Sequence, residues 1–193
     1  VGGEVDIRKG ASADDVMTDT DIQAIAGRTD LFEGVTGILT LRGTITVQSQ
    51  AKTLTVLGVL PNYGDVRKNM RILRGRFIDD DDMLERARVC VVNRDLYDQL
   101  FANDESADKT IRTLGTTFQV IGEFEEPVDT LGRGEVVPET ILIPASVAWY
   151  YTPTRQIKTL FAEARNFESL PMAVQAVEEI LKERHRPGSV YEV

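Results

Sequence analysis

One cysteine, one histidine and one tryptophan in 193 residues leave several chemistries without material. Cys90 cannot form an internal disulfide, and its setting in Arg88-Val-Cys-Val-Val92 predicts a buried strand position. A reactive thiol would want cations and exposure. His185 alone cannot build an imidazole metal cluster, and no nucleophile is flagged for a triad around it. Among Lys182, Arg184 and Arg186 it reads as a helix-end charge complementing the dipole, or as a surface residue. Base is also scarce: 22 Lys+Arg stand against 31 Asp+Glu, for a net charge of −9. Nucleic acid is held by clustered Lys and Arg, so this balance excludes it as a partner and disfavours anionic lipid heads. The longest apolar stretches, such as 53–60 and 88–92, fall far short of the ~20 residues of a spanning helix. No Gly-x-x-x-x-Gly-Lys-Ser/Thr occurs, and Gly132-Arg-Gly134 lies in an acidic stretch, so no nucleotide or other cofactor is expected.

What is present is an ordinary folding composition, 42% hydrophobic and 27% charged. A chain of this length buries roughly 70% of its unfolded surface and needs neither disulfide nor metal. The pattern predicts a strand at Glu4–Arg8, then a helix at Met17–Gly27 with Thr18 as cap and Asp21 as its reciprocal acceptor. A long strand Val35–Gln48, with Gly43 as a candidate bulge, returns through Ser49–Ala51 as Lys52–Leu60. Val66–Leu73 reads as one or two helical turns. Val89–Asn93 is a core strand, Arg94–Phe101 a helix, and Lys109–Thr113 with Thr117–Phe124 a hairpin burying Ile111, Phe118, Val120 and Phe124. Glu125–Thr140, with two prolines, two glycines and an excess of acid, reads as a mobile loop. Strands follow at Ile141–Ile143 and Leu160–Ala164. The last helix is capped by Ser169, has Pro171 in its first turn and carries Ala173, Val177, Ile180 and Leu181 on one face, before a final strand at Ser189–Val193. Strand-helix-strand at the front and again at the back look like two copies of one unit, with the middle inserted.

Two constellations stand out. Asp79, Asp80, Asp81 and Asp82 invite a calcium reading, but the alternating-oxygen loop with central Gly and terminal Glu is missing. A solvated turn feeding charge into a helical start at Asp81–Glu85 is the blander account. Trp149, Tyr150 and Tyr151 form the densest aromatic cluster, either packing under the preceding strand or offering the polar-tipped rings that interfaces favour. No spacing selects a carboxylate pair for acid-base work.

Several segments, in order, resemble the extracytoplasmic core domain of MacB-type ABC transporter permeases. They are Leu57-Gly-Val-Leu-Pro61 with Tyr63, Leu73-Arg-Gly-Arg-Phe77 with Asp80–Asp82, Val89-Cys-Val-Val-Asn93, Leu100-Phe101, Lys109-Thr-Ile-Arg112, Phe118-Gln-Val-Ile-Gly122 and Leu181-Lys-Glu-Arg-His-Arg186. Ala102 after Phe101, and Ser106–Asp108 before Lys109, depart from the family's glycine-bearing turns. The resemblance implies an α+β fold: a porter-like subdomain of two strand-helix-strand units, 1–60 plus 155–193, interrupted by a mixed α/β second subdomain, 61–154. It implies a non-catalytic domain on the periplasmic side of the inner membrane, excised here from a longer chain with one membrane helix before it and three after. Its expected partners are a second permease copy, a nucleotide-binding ATPase in cis or in trans, a periplasmic adaptor and an outer-membrane channel. Asp79–Asp82 and Trp149–Tyr151 are the candidate contact residues, the acid favouring a basic face on the partner. The other reading is a soluble periplasmic binding module or a small carboxylate-using enzyme, which would need a deep apolar pocket.

Overall fold

The computed structural model describes residues 4–9, 17–47, 49–102, 108–126, 136–152, 157, 159–185 and 191–192. In chain order its elements are β1 (Glu4–Lys9), α1 (Asp19–Ala26), β2 (Phe32–Val47), β3 (Gln50–Val59), α2 (Tyr63–Val66), β4 (Arg71–Gly75), α3 (Asp80–Glu85), β5 (Val89–Asn93) and α4 (Arg94–Phe101). They continue as β6 (Thr110–Thr113), β7 (Thr116–Glu125), β8 (Thr140–Pro144), α5 (Ala145–Ala148), β9 (Thr159–Ala164), α6 (Leu170–Arg184) and β10 (Tyr191–Glu192). The expected loops at 10–16 and 127–135, including Gly132-Arg-Gly134, lie outside the described residues, as does most of Ser106–Asp108. Two compact units result. One comprises Val1–Leu39, Asp65–Arg67 and Thr154–Val193, the other Thr40–Gly64 and Lys68–Pro153, with the division falling inside β2.

In the first unit the strand order is β10-β1-β9-β2, every neighbour antiparallel. Helix α1 joins β1 to β2, α6 joins β9 to β10, and the two helices pack together. This is the split βαβ arrangement of ferredoxin-like folds, and it interleaves the two strand-helix-strand units in one sheet. At the start of α1, Asp21 accepts from Thr18 N at 2.8 Å and from Thr18 Oγ1 at 3.1 Å, as the spacing predicts. Ile22 and Ile25 are buried, and Ile22 packs over Gly37 on the face of the sheet that carries Ile7 and Leu160. The cap of α6 differs from expectation. Ser169 itself has helical backbone angles, and Asn166 caps the preceding 3-10 turn by accepting from Ser169 N at 2.7 Å. Ala173, Val177 and Leu181 are buried, as their spacing requires.

The second unit is built on the order β3-β8-β5-β7, with β6 and β4 both pairing β7. β3–β8 and β5–β7 are parallel, and β5–β8 is antiparallel. Every residue of β5 and of β8 is buried, which is what near-continuous apolar runs in a covered sheet produce. The β6–β7 hairpin turns on Leu114 and Gly115, both at positive φ, the signature of a type I′ turn. Ile111, Phe118 and Phe124 are buried as expected, whereas Val120 is only half-buried. Val66–Leu73 is corrected: the helical turn comes earlier, as α2, and Arg71–Gly75 is extended because it pairs with β7. Pairing overrides local preference there.

Candidate partner-contact surface

The four aspartates are not equivalent. Asp79 is the N-cap of α3, accepting from Asp82 N at 2.9 Å, and Asp82 accepts from Asp79 N at 3.1 Å, a closed capping box. Asp82 is 5% exposed, and the Arg76 guanidinium grips it from two nitrogens, one at 3.0 Å, while also reaching Asp79 at 3.1 Å. The hydrogen bonds from Arg76 hold the Asp82 carboxyl below the usual carboxylate range, against the opposing effect of burial. The expected solvated turn is therefore corrected at Asp82, which works inside the unit. Asp80 and Asp81 are exposed in the first helical turn.

This division predicts unequal costs. Asp82→Asn is expected to lower the unfolding free energy by about 2 kcal/mol, below the usual penalty for breaking a buried ion pair because Arg76 can rehydrate. Asp80→Asn and Asp81→Asn should each change it by less than about 0.5 kcal/mol. Urea unfolding of the three variants measures this, and equal effects at all three positions would mean that Asp82 is as solvated as its neighbours.

The aromatic cluster lies beside the other end of the same helix. β8 leads into α5 and a 3-10 turn, Trp149–Tyr151, and α5 packs against α3. Arg86 closes α3 in the left-handed region and donates to Tyr150 Oη at 2.6 Å. Tyr151 Oη meets Thr116 Oγ1 at 2.8 Å. Trp149 is half-buried and Tyr150 is 67% exposed. The structure thus brings the two candidate groups together at opposite ends of α3. Sequence reasoning missed Arg76, Arg86 and Arg88, which line or anchor this region. The Asp-x-x-Asp box could have flagged an N-cap, but nothing local joins Arg86 to a tyrosine 64 positions away.

Open clefts formed by described residues of this unit include two near the candidate residues and α4. One of about 400 Å³ is lined by Arg86, Arg88, Thr116, Val147, Tyr150 and Tyr151. The other, about 350 Å³, lies between the start of α4 and the residues after β7. Two of its carboxylates are engaged: Glu125 with Arg94 at 2.9 Å, and Glu126 with Tyr63 Oη at 3.3 Å. Burial raises the Glu123 carboxyl, opposed by Arg74 at 3.4 Å. Among the described residues no three His, Cys, Asp or Glu side chains gather where a metal could be held, and Cys90 is buried with its thiol pushed well above the usual range. No described helix is long and apolar enough to cross a membrane.

The architecture is that of the extracytoplasmic domains of ABC-type transporters. It is similar to the periplasmic region of MacB from Actinobacillus actinomycetemcomitans, with a TM-score of 0.77 at 18% identity over 98% of this chain and 87% of that one. It is equally similar to the extracellular domain of the ABC-type transporter YknZ from Gram-positive bacteria, at 0.78 and 18%, covering 99% of both. The chain belongs to the MacB-like periplasmic core domains of ABC transporter permeases, whose family model matches residues 2–180. Among curated relatives, the macrolide export ATP-binding/permease protein MacB of Chlorobaculum tepidum is 26% identical over 88% of this chain. The protein of the same name from Bdellovibrio bacteriovorus is 28% identical over 96%. The chain spans about a quarter of the length of these relatives, 26% and 28% respectively.

Proposed function

We propose that this domain is the non-catalytic, motion-transmitting part of an exporter, coupling ATP hydrolysis in a cytoplasmic ATPase domain or subunit to work outside the membrane. The observation that carries the reading is the pairing of the first and last strands. Arg8 lies opposite Glu192 and Lys9 opposite Tyr191 in an antiparallel pair, so the chain runs into the first unit along β1 and back out along β10 in the opposite direction, entering and leaving toward the same end of one sheet edge. Flanking membrane helices attached there would move this edge directly, and its backbone hydrogen bonds would pass the displacement to β9 and β2. The porter-like role falls to the first unit and the inserted role to the second.

The expected partners are a second permease copy, the ATPase in cis or in trans, and an adaptor or cargo met through Asp79–Asp81 and Trp149–Tyr151. An outer-membrane channel is a further candidate partner, although the same fold in a Gram-positive extracellular domain argues that the architecture does not require one. Export is the direction suggested by the relatives' names. In the full-length transporter reconstituted in vesicles, replacing the domain with a short Gly/Ser linker is expected to leave basal ATP hydrolysis and abolish transport. Transport at the wild-type rate would overturn the reading.

A further inference from the structure

The loudest charge in the sequence is acidic, yet the charged side chains lining one cleft of the second unit are both basic. Arg28, Arg76, Arg94 and Arg184 each face a carboxylate within 3.1 Å. Arg86 and Arg88, which line one cleft together, have no such partner among the described residues. In a chain carrying net charge −9, two neighbouring guanidinium groups without a counter-ion make this cleft a local positive well.

The well is also organised. Arg86 stands at φ 53 and ψ 47, a left-handed helix end where glycine fits with less strain. Its guanidinium is fixed by the Tyr150 hydroxyl at 2.6 Å and lies 5.6 Å from that ring's centre. A phenol orients the group without neutralising it, so its charge stays available to a ligand. Arg88 is anchored through its backbone oxygen, which accepts from Gln119 N at 2.8 Å. Tyr151 is tied to Thr116, and Val147 supplies an apolar floor. Leu84, 82% exposed on α3, adds apolar surface two residues before Arg86.

The geometry points to this cleft as a site for an acidic, extended peptide segment of a partner protein, its carboxylates on Arg86 and Arg88 and an apolar side chain against Val147 and the tyrosine rings. A free inorganic anion would use the arginines and leave the apolar floor and aromatic walls empty. A compact small molecule would want enclosure, and this cleft is open. The assignment rests on the reading of the domain as a partner-contacting module, and it reverses the charge expected of that partner: acid on the partner meets arginine here.

The test uses the 193-residue chain and a fluorescein-labelled, end-blocked peptide of alternating Glu and Leu, followed by anisotropy at low and moderate salt. The Glu–Leu peptide is expected to bind roughly tenfold or more tightly than its Gln–Leu counterpart, with affinity falling as salt rises. Arg86→Gln/Arg88→Gln should weaken it by roughly tenfold, and Tyr150→Phe by about threefold, because the ring stays while the hydroxyl that orients Arg86 goes. Glu183→Gln, exposed on α6 of the first unit, should leave binding unchanged. Equal binding of the two peptides overturns the proposal, as does unchanged affinity in an Arg86→Gln/Arg88→Gln chain whose circular dichroism matches wild type. A Glu–Ser peptide binding as well as Glu–Leu, with both displaced by low-millimolar phosphate, would reduce the cleft to a bare anion site and overturn the peptide assignment. No ATP or membrane enters the assay, so failure removes the cleft assignment and leaves the coupling reading to the transport experiment.

Discussion

Gly122→Ala is expected to destabilise the second unit by at least about 3 kcal/mol, at or beyond the upper end of ordinary overpacking. An added Cβ at Gly122 would lie 2.4 Å from the Arg76 carbonyl oxygen and 3.1 Å from that of Arg74. Both are backbone atoms, so no side chain can turn aside to make room. Gly75, directly opposite, is under the same constraint: it sits at φ +72, and its Cβ would come 2.1 Å from the Ile121 oxygen. Relief would require β4 to part from β7, breaking the Arg76 N to Ile121 O bond of 3.0 Å. Arg76 would then be carried off Asp82, so the loss would spread from the edge strand to α3. Gly115→Ala provides the contrast. Its φ is also +72, but nothing lies within 4 Å of the new Cβ, so only the cost of left-handed backbone applies, about 1 kcal/mol. Urea unfolding separates the two, with amide exchange over 71–76 reporting whether β4 is released. A Gly122→Ala chain no less stable than Gly115→Ala would show that the β4–β7 contact yields at little cost.

That pair of glycines also explains what the sequence did and did not reveal. β5, α4 and β8 are legible because their evidence is local: an apolar run, Asn93 capping α4 by accepting from Asp95 N at 3.0 Å, and another apolar run. The hairpin at Leu114-Gly115 and the capping box at Thr18 and Asp21 are written in adjacent residues in the same way. β4 is not legible, since all five of its residues are exposed and carry no strand periodicity. It is a strand because two glycines allow its backbone to approach β7, and that fact is tertiary. The contact surface divides along the same line. The aspartate run and the aromatic triplet announce themselves by composition, but composition cannot say that Asp82 turns inward to Arg76. Nor can it say that Arg86 waits beside Tyr150, because those partnerships are set by where α3 and α5 pack.

Asp21→Ala is expected to lower the stability of the first unit by about 3 kcal/mol, the low end for removing one partner of a buried ion pair, since Arg184 is partly exposed and can rehydrate. Asp21 is 2% exposed and binds Arg184 Nε at 2.7 Å, with His185 Nε2 at 3.3 Å and the two Thr18 groups on its other side. Burial alone would raise its pKa, but the hydrogen bonds from Arg184 and Thr18 and the charge of His185 outweigh it, and the carboxyl is held below its ordinary value. A carboxyl depressed in the folded state stabilises the fold above its unfolded pKa of about 4, and that contribution disappears as the pH falls through the lower native value. Between about pH 5 and about pH 3 the stability gap between wild type and Asp21→Asn should therefore shrink, mostly below about pH 4. Urea unfolding across that range reads the gap directly, and a gap that persists undiminished at the lowest pH would exclude the ion pair as its source. The clasp spans 163 positions and ties the first turn of α1 to the end of α6. Those helices follow β1 and precede β10, the strands through which the chain enters and leaves this unit. A displacement applied to either strand then reaches a helix fastened to its counterpart, which is the stiffness that the proposed coupling role calls for.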